Sequence, residues 1–244
     1  MPDRRQHRGP HPQDHDLFND SVEETLCEAT SELSWLLSRG YAVPSSIKLV
    51  GDRHQLTTRQ RLAVSRSACS DPSRARRRST QVDINDLVNN ELWVDGYNVL
   101  TSIEAALAGG VILKTRDGCF RDMASMHGSY RKVEETILAI TLLGNQLAQY
   151  QLAAVRWLMD RPVSNSGRLK QLLEEQAERH GWQWHVELVP DPDPILSKSV
   201  QVVATADSGI LNHAERWFNL AREVIERNVG SYWLVDLSER SPES

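Results

Sequence analysis

Cysteine is scarce in this chain of 244 residues, with three copies, at Cys27, Cys69 and Cys119. An odd number at wide separation excludes a disulfide framework and a thiolate zinc site, and points to a reducing, cytoplasmic setting. No apolar run approaches the ~18 residues needed to span a bilayer, so no membrane is expected. The opening MPDRRQHRGPHPQDHD lacks the apolar stretch of a secretory signal. Pro10 and Pro12 break any helix that would align His7, His11 and His15 as metal ligands. There is no GxxxxGK[ST] loop, no glycine-rich dinucleotide fingerprint and no GxSxG elbow. P-loop hydrolysis, dinucleotide chemistry and α/β-hydrolase catalysis are thereby set aside.

What is present fits a globular protein: 40% hydrophobic and 25% charged residues. The net charge of −5 conceals a segregation. Between Arg39 and Arg78 stand ten Lys/Arg against two acids, flanked by acidic segments on both sides. A basic block of this kind is a reason to consider a polyanionic partner.

Residues 1–20 read as a disordered tail, and residues 21–71 as a small, basic, all-helical domain. Ser21–Glu24 forms a capping-box sequence ahead of Leu26, Ala29, Leu33, Leu36 and Leu37 at helical spacing. Gly40 ends that helix. A second is expected from Pro44 to Val50, stopped by Gly51, and a third from the Thr57–Gln60 box to about Cys69. The long connection before Thr57 argues against a helix-turn-helix. Arg59 and Arg66 share a face, either as RNA contacts or as a solvated surface. Residues 72–88 read as an Arg-rich linker in which Arg74, Arg76, Arg77 and Arg78 grip a phosphate backbone or form a solvated hinge.

From residue 89 to 240 strand and helix patterns alternate. Strands are expected at Leu92–Val94, Val111–Leu113, Ala153–Leu158, Trp184–Leu188, Val200–Thr205 and Tyr232–Leu237. Helices are expected from a Thr101 cap to Gly109, over Tyr130–Tyr150, from Ser164 or Asn165 to Gly181, and over His213–Arg227. Such alternation predicts βαβ crossovers and a mainly parallel sheet. In that setting the Asp95-Gly96 of ELWVDGYNVL is a strand-to-helix junction rather than a hairpin turn.

Aspartates recur at the ends of these strands: Asp95, Asp117, Asp160, Asp207 and Asp236. In one parallel sheet they would gather on one edge and repel one another unless a hard cation, Mg²⁺ or Mn²⁺, neutralised them. Asp is also a common helix cap, and a lone strand-end Asp carries little weight. Asp95, Asp160 and Asp207 together carry more; Asp117 and Asp236 are weaker. Asn98 would orient Asp95 or bind a phosphate oxygen. Ser164, Asn165, Ser166 and Arg168 sit at a helix start suited to an anion. His127 and Arg131 would reach phosphate or move protons.

At VDGYNVL and VVATADSGIL the chain resembles the PIN/NYN-like nucleases. That resemblance implies a Rossmann-like three-layer α/β fold and metal-dependent RNA cleavage. Asp95, Asn98, Asp160 and Asp207 match best, with Asp117, Asp122 or Glu134 for a further mid-chain carboxylate. Over residues 33–226 the chain is also similar to a prokaryotic family known as domain of unknown function 434 with an associated C-terminal domain. That likeness rests on LLSRGY, LVGDRHQLTTRQRLAV, VDGYNVL, DGCFRDMASMHGSYR, DRPVSNSG and LAREVI, and implies no activity. The expected function is hydrolysis of RNA with Mg²⁺ or Mn²⁺. The alternatives are a non-catalytic RNA- or nucleotide-binding protein and a small-molecule phosphohydrolase.

Overall fold

The structure is a computed structural model that describes residues 7–124 and 130–238. It begins with α1 (Asp14–Leu17) and α2 (Asp20–Ser38). Asn19, rather than Ser21, caps α2: its side-chain oxygen accepts the Ser21 N–H. Helix α3 (Val43–Arg53) runs through Gly51 instead of stopping there. A Cβ at Gly51 would lie 2.6 Å from the Arg61 guanidinium carbon, so this glycine makes room for a neighbour. Helix α4 (Thr58–Ser67) starts at the expected Thr57–Gln60 box, with both reciprocal bonds formed.

The Arg-rich stretch is not a flexible linker. It forms α5 (Asp71–Thr80), capped by Ser70, with Pro72 in its first turn and Arg77 buried. A 3-10 turn (Ile84–Leu87) leads to β1 (Glu91–Asp95), and α6 (Gly96–Leu107) follows with no loop between them. The helix thus starts five residues before the expected Thr101 cap. There follow β2 (Val111–Lys114), β3 (Phe120–Asp122), α7 (Thr136–Ala148), β4 (Ala154–Asp160), α8 (Ser166–His180) and β5 (Trp184–Val189). The chain continues through α9 (Asp193–Ser197), β6 (Val202–Ala204), α10 (Ser208–Leu211), β7 (Trp217–Phe218), α11 (Leu220–Asn228) and β8 (Trp233–Asp236). Strand β7 replaces the first part of the expected 213–227 helix. Trp217 is fully buried and pairs beside β6, so tertiary pairing overrides the helical spacing.

The architecture is α/β, helices first, with a parallel five-stranded sheet in the order β5-β4-β1-β6-β7. Alternation along β1 explains its two faces. Leu92 and Val94 join the large core with α6, α7, α8 and α11, whereas Trp93 packs on the α9 and α10 side. A second sheet, β3-β2-β8, is separate. Its Ile112 and Phe120 enter the large core, while Val111, Leu113 and Val235 pack against Leu26, Leu33, Val50 and Val64 of α2–α4. The N-terminal helices therefore do not stand apart; they cover one face of this sheet. Residues 7–14, read as tail, reach the same body. Arg8 pairs with the buried Glu104, and the buried Asp14 pairs with Arg59. Among the described residues no helix is long and apolar enough to cross a membrane.

Candidate active site

The junction at Asp95-Gly96 sets the site. Gly96 begins α6 so close to β4 that a Cβ there would lie 2.0 Å from the Met159 sulfur and 3.1 Å from the Leu158 carbonyl oxygen. Only a glycine lets the helix start directly off the strand, which fixes Asp95 at its mouth. Asp95 is 6% exposed and accepts a 2.7 Å hydrogen bond from Thr205 Oγ1. The Thr205 oxygen in turn accepts the Asp207 N–H at 2.9 Å. Asn98 Oδ1 accepts the Ala206 N–H at 2.8 Å, tying α6 to the loop after β6 rather than to Asp95 itself. Asp207 caps α10, one oxygen accepting the Gly209 N–H at 2.7 Å and the Ile210 N–H at 3.2 Å.

A cavity of about 480 Å³ opens here, lined by Asp95, Asn98, Asp122, Asp193 and Asp207 with Tyr97, Arg66 and Arg121. Burial, opposed by the Thr205 hydroxyl and reinforced by Asp207, Asp193 and Asp160, pushes the Asp95 carboxyl up to about 7. Burial and then Asp207 raise Asp193 as well. Asp160 is also raised, first by burial and then by Asp191. It acts on Asp95 through its charge but does not line the cavity. Among the described residues no three His, Cys, Asp or Glu side chains stand close enough to grip one ion.

The other expected site residues divide sharply. Because the strands form two sheets, Asp117 and Asp236 do not join the edge formed by Asp95, Asp160 and Asp207. Asp236 pairs with Lys114 at 2.7 Å. Asp117, expected as a metal ligand, is buried between Arg77 (2.5 Å) and Arg121 (2.7 Å). Burial opposes its ionisation, yet the two guanidiniums hold it well below the usual carboxylate range. Arg77 is therefore unavailable to RNA. Arg76 donates to the Asn212 and His213 carbonyls, and Arg59 to the Asp14 carboxylate, so both make tertiary contacts within the fold. Arg66 does reach the cavity, donating to the Asp122 and Ala124 carbonyls. Glu134 is exposed beside His7 and does not line the acidic cavity.

Ser164, Asn165, Arg168 and Arg131 line a second cavity. Ser166 is buried and donates to the Arg161 carbonyl, so it is not among them. Asn165 precedes α8 with a left-handed backbone (φ 69°) and makes no capping bond; its amide holds the Tyr130 carbonyl instead. His127 lies outside the described residues.

Sequence reasoning passes over Asp193 and Thr205. Asp193 carries the same signal as the others, since Asp191-Pro192-Asp193 follows β5, but the prolines make it read as a plain loop.

Comparison with known families fits this division of the chain. The family described as a domain of unknown function, DUF5616, matches residues 84–223. The chain belongs to that family. The protein family of unknown function DUF434 matches residues 25–80, so the pair covers most of α2, all of α3–α10 and every strand but β8. The DUF5616 chain is 31% identical over 184 residues to the uncharacterized protein MJ0935 of Methanocaldococcus jannaschii. The match covers 75% of this chain and 88% of that protein. No solved structure matches.

Proposed function

We propose that the acidic cavity binds hydrated Mg²⁺ or Mn²⁺ and hydrolyses a phosphodiester of RNA, in a PIN/NYN-like setting. The observation that carries this reading is Asp95: a buried carboxylate raised to about 7 among Asp193 and Asp207, with no salt bridge to it among the described residues. Carboxylates held together in this way suit a hard divalent ion. Mg²⁺ keeps several of its waters and needs one or two carboxylates, so the lack of a three-residue cage fits a hydrated ion. Asp95 and Asp207 would hold it, with Asp193 ligating through water. Such an ion would supply an acidified water and charge for the leaving oxygen. Thr205 ties the end of β1 to the residues after β6, and Asn98 ties α6 to the same loop. Arg66 at the rim would pair with a phosphate oxygen.

The test is cleavage of varied single-stranded RNAs with Mn²⁺, comparing the parent with Asp95→Asn. Cleavage by the parent alone is expected; equal activity, or none in either, would count against the reading. A second reading is a non-catalytic RNA- or nucleotide-binding protein, favoured by the absence of a three-ligand cage among the described residues. Salt-sensitive binding without cleavage would support it. Release of phosphate from small esters, with RNA untouched, would instead indicate a phosphohydrolase.

A further inference from the structure

A second cavity, about 680 Å³, has Tyr130 in its wall, whose ring meets Tyr97 of the acidic one. Its rim carries Arg131, Lys132 and Arg168 against a single acid, Glu175. All three cations are exposed, and Lys132 and Arg168 pair with no carboxylate among the described residues. Its floor is apolar: Leu169 is buried and Leu172 half-buried.

One contact joins this groove to the acidic cavity, and chain connectivity adds a second link. Tyr130, in its wall, packs against Tyr97 of the acidic cavity with ring centroids 5.4 Å apart. Ser164 and Asn165 follow β4, whose last residue, Asp160, is one of the carboxylates acting on Asp95. The loop is braced from both sides, since the Tyr130 N–H donates to the Ser164 carbonyl at 3.1 Å and Asn165 Nδ2 to the Tyr130 carbonyl at 2.9 Å. This brace holds the 130–132 segment against the turn that opens α8, so Arg131, Lys132 and Arg168 line one cavity.

We infer that this groove binds the sugar–phosphate backbone of the strand flanking the bond held in the acidic cavity. The inference rests on the proposed phosphodiester reading and narrows it: the substrate is a polynucleotide strand, because a mononucleotide in the acidic cavity would leave the groove empty. Three cations on an apolar floor complement a backbone whose charges recur along the strand. A neutral or basic peptide offers them no such charges.

The experiment compares the full-length parent with the Lys132→Ala/Arg168→Ala double variant. Anisotropy of a labelled single-stranded RNA of about twelve nucleotides is measured with Ca²⁺ in place of Mn²⁺. Cleavage of that RNA and of a dinucleotide is then followed with Mn²⁺. Both side chains are exposed, so unchanged unfolding curves are expected. On the longer RNA, binding should weaken on the order of tenfold. The slope of log affinity against log salt should fall by about 1.4, two single-strand phosphate contacts at about 0.7 each. In cleavage, KM should rise with kcat unchanged, and the dinucleotide should be unaffected. Equal binding by parent and variant would overturn the groove and leave the acidic-site reading standing. So would equal losses on the long and short substrates. Binding that weakens in the variant, with no cleavage by either protein, would keep the groove and overturn the catalytic reading. No binding by the parent would overturn both.

Discussion

Asp95 and Asp117 are both buried aspartates near strand ends, yet their surroundings push them in opposite directions. Asp117 lies between Arg77 and Arg121 and also accepts from the Thr115 hydroxyl at 2.5 Å. Arg77 comes from α5 and Arg121 from β3, so this one carboxylate joins the N-terminal helices to the second sheet. Asp95 has a hydroxyl for company and three carboxylates acting on its charge, and titrates near 7. The chain supplies its own cations where the charge is structural, and leaves the charge unbalanced where we propose that a cation from outside belongs.

The comparison breaks most readily at Asp117. Asp117→Asn leaves two buried guanidiniums without their counter-ion and should cost about 3–5 kcal/mol in urea unfolding at pH 7. The folded pKa of Asp117 is depressed, so its contribution is present above the unfolded value and lost only as pH falls through the folded one.

Asp95→Asn should act with the opposite sign. Because the folded carboxyl is raised to about 7, folding favours its protonated form. The parent therefore loses stability as pH rises from about 4 to about 7, and the loss is complete above that. The variant should be more stable than the parent at pH 8 by on the order of 2–4 kcal/mol and close to it at pH 4, while cleavage is lost. Unfolding at the two pH values checks this, and an equal effect at both would break the contrast with Asp117.

Thr205→Val sharpens the same point on a smaller scale. The hydroxyl lowers the Asp95 pKa, so its removal should raise that value further and cost about 1 kcal/mol, read by the pH profile of unfolding. The smallest effect is expected at Asp236→Asn. The pair with Lys114 is partly exposed, and its loss should cost less than about 1 kcal/mol.

Much of the β part is legible in the sequence because burial imposes its own pattern. Leu92 and Val94 alternate with Trp93, and the Asp-Gly after them opens a helix. The split into two sheets is not legible, because β2 and β8 carry the same apolar signature as the central strands. Their separation depends on α2–α4 covering Val111, Leu113 and Val235. The Arg-rich stretch misleads for a related reason. As sequence it is charge without apolar spacing, yet Arg76 and Arg77 dock on the α10 end through the 212–213 carbonyls and the Asn212 side chain. In the site, Asp95, Asn98 and Asp207 are readable as strand-end polar residues, but their distinction from Asp117 is not. That depends on which arginines the fold brings near.

The most direct test of the account is a ¹³C NMR titration of the Asp95 carboxyl, with and without Mg²⁺. We expect a midpoint near pH 7 in the free protein, moving down by two units or more at saturating Mg²⁺ as the ion displaces the proton. An ordinary carboxylate midpoint in the free protein, or one near 7 that Mg²⁺ leaves unmoved, would contradict it.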